Sequence, residues 1–278
     1  MHLTALDDAA WTSPWRHRAV SDKTLLSLGL VLTALLSAPV PGGILVAAAS
    51  VACLLGPARL PARLLVGAMT PPAVFIAIGS LSVAVSVGAP VADAWWSFGP
   101  LSIGTASLAR AGGLLVHAVA GTLAILVLAT TTPMVDLLTS ARALRIPNAC
   151  LEVSSLIYRL LFVLLDTAHT VREAQQARLG DCPARRPDLG FRGRPAMLRI
   201  EAAGSAAGTV LVRSWARAER LTDGLTGRGY DDALFTLPVK RPRSARFEVA
   251  TVVVIGAIWA AGIAWAQLTG GSVVRSMW

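Results

Sequence analysis

Residues 111–131 contain no Asp, Glu, Lys or Arg. An uncharged apolar run of about 20 residues is long enough to cross the ~30 Å hydrocarbon core of a bilayer as a helix. Inside lipid, only helices and closed barrels satisfy every backbone polar group. That single stretch therefore steers the chain toward a helical membrane fold, and the other apolar runs follow the same logic. Spans are expected at about 24–38, 43–56, 64–88, 110–131 and 248–268. The first two are short for a crossing, so tilt in a bundle or extension into their flanks is expected. Pro39-Val40-Pro41-Gly42-Gly43 reads as a tight turn between them. Pro71-Pro72 predicts a kink in the third span. Gly112, Gly113 and Gly121 would permit close helix contact in the fourth. His117, within that span, reads as a neutral histidine hydrogen-bonded inside a bundle.

The expected fold class is all-α: a polytopic helical membrane protein with about five transmembrane helices and further amphipathic helices outside the bilayer. Three parts are expected: an N-terminal membrane part (1–132), a polar region (133–246) and a C-terminal span within 247–278. The run at 24–38 follows Asp7 and Asp8 and precedes more apolar segments, so it reads as a retained span and not a cleaved leader. Residues 1–23, with Trp11, Trp15, Arg16, Arg18 and Lys23, look like interfacial dressing. Residues 89–107, with Trp95 and Trp96, read as an interfacial loop.

Charge sets the orientation. Of the 25 Lys and Arg residues, 23 fall in 1–23, 56–63 and 134–246, which hold 3, 2 and 18. Five alternating spans place all three segments on one side. The positive-inside rule makes that side cytoplasmic, with the N-terminus inside and the chain multi-pass in the inner membrane. A net charge of +9 would also suit nucleic acid, but no nucleic-acid reader motif is present and that partner is set aside. Cys53, Cys150 and Cys182, and His2, His17, His117 and His169, have neither disulfide nor metal-ligand spacing. P-loop, GxSxG and HExxH motifs are absent, so neither ATP hydrolysis nor another catalytic activity is expected of the chain itself.

The basic region carries helices expected at about 133–146, 149–179 and 197–227. Thr132 and Pro133 suit the N-cap and first position of the first, an amphipathic surface helix. The other two end alike. One closes on Ala177-Arg178-Leu179-Gly180, the other on Gly227-Arg228-Gly229. Arginine before glycine at a helix end can simply offset the helix dipole while glycine forms a left-handed cap. It can also project a guanidinium fork toward a partner carboxylate. Gly204 and Gly208 form a GxxxG step where another helix could cross.

These features together resemble the transmembrane T component of energy-coupling factor (ECF) transporters, in particular the cobalt-type CbiQ proteins. The match rests on Ala177-Arg178 with Gly180, and on Gly227-Arg228-Gly229 preceded by Arg213-Ser214-Trp215 and Ala218-Glu219-Arg220. It also rests on Ser13-Pro14-Trp15-Arg16-His17 with Lys23, and on Thr132-Pro133 with Asp136-Leu137-Leu138 through Pro147. Leu179 intervenes before Gly180, and Gly227 stands where the family usually has Ala. The resemblance implies two cytosolic coupling helices tipped by Arg178 and Arg228 and supported by Glu173, Gln175, Arg213, Glu219 and Arg220. It implies two ABC ATPase partners, which bind ATP and Mg2+, and no cofactor on this chain. It further implies an S component, CbiM-like with a small CbiN-like subunit for cobalt. The alternative is a membrane-bound enzyme or anchor whose basic region binds an anionic lipid, a nucleotide or a non-ATPase partner.

Overall fold

The computed structural model describes residues 2–87, 94–98, 101–142, 146–177, 195–230 and 243–268. The helices among them are α1 (His2–Thr12), α2 (Val20–Leu36), α3 (Ile44–Leu55), α4 (Ala62–Ala84), α5 (Thr105–Thr131), α6 (Met134–Ala141), α7 (Asn148–Ala177), α8 (Pro195–Thr226) and α9 (Ala245–Leu268). Three short strands, β1 (Ser86–Val87), β2 (Ala94–Phe98) and β3 (Leu101–Gly104), pair antiparallel in the order β1-β3-β2. The chain divides into two units. One holds α1 to α6, the strands and α9; the other holds α7 and α8.

In the first unit α5 packs against α2, α3 and α4, and α2 also meets α9. Leu26, Leu30 and Ala34 of α2, Val46 and Leu54 of α3, and Ala120, Leu123, Ala124 and Val127 of α5 are buried together. The α2 residues recur every four positions, which puts them on one helical face. Leu25, Leu28, Leu32, Leu35 and Leu36 of the same helix are exposed. A helix that is apolar all round is one bathed in protein on one side and lipid on the other. α4 carries this furthest, with Phe75 80% exposed beside exposed Val74, Ile78 and Leu81. α4, α5 and α9 are each long and apolar enough to cross a bilayer, whereas α2 has 17 residues and α3 has 12.

Several local features go beyond the sequence reading. Pro71 and Pro72 lie inside α4. The segment read as a loop at 89–107 contains the β2–β3 pairing, because Trp95, Trp96, Phe98 and Ile103 are strong strand formers. The early polar segment folds into α1, where Trp11 Nε1 donates to Asp7 one turn back at 3.1 Å. Close packing through glycine occurs at Gly43, where a Cβ would lie 2.7 Å from Val116 Cγ1 of α5. Gly112 and Gly121 face open space instead. Thr132 does not cap α6. Its N–H donates to Leu128 O at 3.0 Å, closing α5, and its hydroxyl is buried with no partner among the described residues. His117 Nε2 lies 2.9 Å from Ser37 O, as a histidine inside a bundle should.

Trp15 and Lys23 are buried within the protein. Ser13 Oγ accepts from Trp15 N at 3.3 Å and opens a helical turn over Pro14–His17. That turn buries Trp15 edge-on against Phe247 of α9, with ring centroids 5.2 Å apart. Lys23 is 0% exposed, and its ammonium donates to Thr131 O at the end of α5 at 2.9 Å. Neighbouring Asp22, 1% exposed, accepts from Ser244 N just before α9 at 3.1 Å. The carboxylate thus meets the positive end of one helix and the ammonium the negative end of another.

Candidate coupling site

α7 and α8 have 30 and 32 residues, so each is about 45–50 Å long at 1.5 Å per residue. They pack against each other. Isolated helices gain little without a packed face, and both leave large apolar side chains exposed, among them Ile157 of α7 and Trp215 of α8. Arg213, Ser214, Arg217 and Arg220 of α8 line a cleft of about 280 Å³ with Leu164 and Thr167 of α7. The three arginines lie at intervals of four and three residues, the spacing of one helical face. Such like-charge neighbours repel one another unless an anion intervenes. Arg220 Nε donates to Ala216 O at 3.1 Å, within its own helix. Glu219 accepts from Trp215 Nε1 at 2.8 Å, again one turn away.

The end of α8 is built as a complete C-terminal cap. Gly229 has φ +71°. Its N–H donates to Thr226 O at 3.0 Å, and Tyr230 N donates to Leu225 O at 3.1 Å. These are the paired bonds of a Schellman motif, in which the left-handed glycine satisfies the last carbonyls of the helix. Arg228 is the residue immediately before that glycine. Its side chain is exposed, with no ion pair or hydrogen bond among the described residues. Both uses foreseen for an arginine–glycine end are therefore compatible here. Glycine closes the helix by backbone geometry, and the guanidinium is left at the tip.

The cap gives a direct prediction. Gly229→Ala places a Cβ in the left-handed region and costs about 1 kcal/mol. Amide exchange at residues 229 and 230 is expected to accelerate about fivefold. Gly229→Asn, which tolerates that conformation better, should show a smaller change.

The other tip is only partly placed. α7 ends at Ala177, which is exposed, while Arg178 and Gly180 lie outside the described residues. Glu173 is exposed on the last turns and Gln175 half-buried. Gly204 and Gly208 are exposed, and a Cβ at either would meet nothing within 4 Å. The close crossing that their spacing permits is therefore not made by another helix among the described residues. Among those residues, no group of three or more His, Cys, Asp or Glu is placed to hold a metal ion. The buried Asp22–Lys23 arrangement was not anticipated. A charged pair ahead of an apolar run carries no sequence sign that distinguishes burial from an interface.

Three helices able to cross a bilayer, together with a pair of long amphipathic helices, define a helical membrane protein. The chain belongs to the cobalt transport protein family CbiQ, which matches residues 12–237. The cobalt transport protein CbiQ of Rhodobacter capsulatus is 32% identical over 266 residues, covering 95% of this chain and 99% of the relative. That of Salmonella typhimurium is 30% identical over 185 residues, covering 65% of this chain and 81% of the relative. A putative fused cobalt transport protein CbiMQ from Methanocorpusculum labreanum is 26% identical over 238 residues, covering 82% of this chain and 37% of that protein.

Proposed function

We infer that this chain is the energy-coupling transmembrane subunit of an ECF-type importer whose substrate is the cobalt ion. α7 and α8 are its coupling helices, and Arg178 and Arg228 each dock in a groove of one ABC ATPase subunit. ATP and Mg2+ act on those partners, and their closure changes the crossing of the two helices. The motion reaches a separate substrate-binding component. The fused relative whose name joins CbiM to CbiQ favours a CbiM-like partner, and a CbiN-like small subunit accompanies it. The membrane is the cytoplasmic one, with the N-terminus and the coupling helices inside. α2 and α3 complete five spans by extending into their flanks, and the exposed leucine face of α2 favours contact with lipid.

The observation that carries this reading is the unpartnered Arg228 on a capped helix end. Capping alone needs the glycine and does not need the guanidinium. A rigid tip with a free fork is suited to a carboxylate on a partner surface. Arg228→Glu tests it: reversal of the charge should remove co-purification of the ATPase subunits from the detergent-extracted complex. Full retention would refute the docking role.

The cleft of Arg213, Arg217 and Arg220 favours the second reading, an anchor that holds an anionic ligand. Tight nucleotide binding by the purified single chain would select that reading over the first.

A further inference from the structure

A second cleft, of about 500 Å³, lies in the first unit between α1 and the turn joining α3 to α4. Its volume falls in the range of small-ligand sites, ~300–1,000 Å³. Asp8 and Arg59 both line it. They have opposite charges, yet no ion pair joins them, and neither side chain has a hydrogen-bond or ion-pair partner among the described residues. Leu60 and Leu64 supply an apolar wall.

The backbone at Arg59 is unusual. Its φ is +53°, the left-handed region that favours glycine. The turn itself is held by Ala58 N to Cys53 O at 3.1 Å and Leu60 N to Leu54 O at 2.9 Å. Glycine or asparagine at 59 would close the same turn with less strain. An arginine there is what the turn does not require. Strained positions of this kind cluster where a side chain must be aimed at a ligand.

The location identifies the surroundings. Pro61 is the residue before α4, and Leu64 lies in that helix's first turn. α4 is one of the three helices able to cross a bilayer, so its end lies at the level of lipid headgroups. Arg16 stacks on Trp11 at 4.1 Å at the end of α1, the pairing of cation and indole that suits the same level.

The geometry points to a binding site for a zwitterionic phospholipid headgroup of the phosphatidylethanolamine type, with its phosphate on Arg59 and its ammonium on Asp8. Arg59 offers a planar fork to a phosphodiester. Asp8 accepts from a primary ammonium, which a trimethylated choline cannot satisfy by hydrogen bonding. A purely anionic headgroup would gain from Arg59 and be repelled by Asp8. The apolar wall of Leu60 and Leu64 receives the glycerol end of the lipid.

The test is native mass spectrometry of the full-length protein, released from detergent after incubation with phosphatidylethanolamine, phosphatidylcholine or phosphatidylglycerol of identical acyl chains. The wild type should retain phosphatidylethanolamine about tenfold better than the other two. Arg59→Gly should lose that retention while unfolding at the same or a higher temperature, because glycine relieves the backbone. Asp8→Asn should keep binding but lose the preference over phosphatidylglycerol. Equal retention of the ethanolamine lipid by Arg59→Gly and wild type would overturn the assignment. So would wild-type protein holding phosphatidylglycerol equally well. Binding of soluble glycerophosphoethanolamine as tightly as the lipid would overturn the membrane as its source.

Discussion

Alanine at both Arg178 and Arg228 is expected to abolish ATP-driven cobalt uptake while the chain still inserts in the membrane. A fully desolvated arginine–carboxylate contact at an interface costs about 2–5 kcal/mol when truncated, or roughly 30-fold or more in affinity. In the proposed coupling, losing both removes the two points through which force passes. The fold should be indifferent, because Arg228 is exposed and makes no ion pair or hydrogen bond among the described residues. Surface substitutions of that kind stay within about 0.5 kcal/mol. Lysine at both positions is the informative control. It preserves charge but loses the planar fork, so an intermediate uptake is expected. The measurements are membrane-fraction abundance, ATPase co-purification and uptake of labelled cobalt. Normal uptake by the double alanine variant would defeat the coupling assignment.

The second large effect belongs to Lys23. Its ammonium is fully buried and donates to Thr131 O at 2.9 Å. That carbonyl lies in the last turn of α5, where helix carbonyls lack intrahelical donors and the dipole is negative. Lys23→Ala would strand the carbonyl and open a cavity, costing about 3–5 kcal/mol. At this chain length such a loss corresponds to a fall of about 10 °C in the apparent Tm. Lys23→Met keeps most of the volume and forfeits only the polar contacts, so it should fall by less than half as much. Tryptophan fluorescence during heating in detergent reads both changes. An unchanged Tm for Lys23→Ala would show that the buried contact carries no stability.

Membrane class and helix content were legible in the residues because length and apolarity alone answer the bilayer's demand for satisfied backbone groups. The end of α8 was legible for a similar reason. Glycine just beyond a helical run has one common use, and Gly229 takes it. Trp15 misled the reading. Tryptophan beside arginine ahead of an apolar run suits an interface, whereas Phe247, distant in sequence, packs edge-on against it. The β2–β3 pairing was missed because a short, aromatic, Lys- and Arg-free stretch between spans fits a loop equally well.

The sequence by itself determined that this is a helical membrane protein, that its charge is concentrated in one long polar region, and that α8 is closed by arginine and glycine. These are local properties: run length, charge count and cap chemistry depend on residues close together in the chain. Only the tertiary structure decided which face of α2 is buried and which is exposed, since both are leucine-rich and hydropathy does not tell lipid from protein. It alone decided that Asp22 and Lys23 bind the ends of α9 and α5, and that Asp8 shares a cleft with Arg59. Those pairings join positions about 50 to more than 200 residues apart. For the buried Asp22 and Lys23 the helix ends offset the cost of taking charge out of water, a balance set by the assembled surroundings and not by neighbours along the chain.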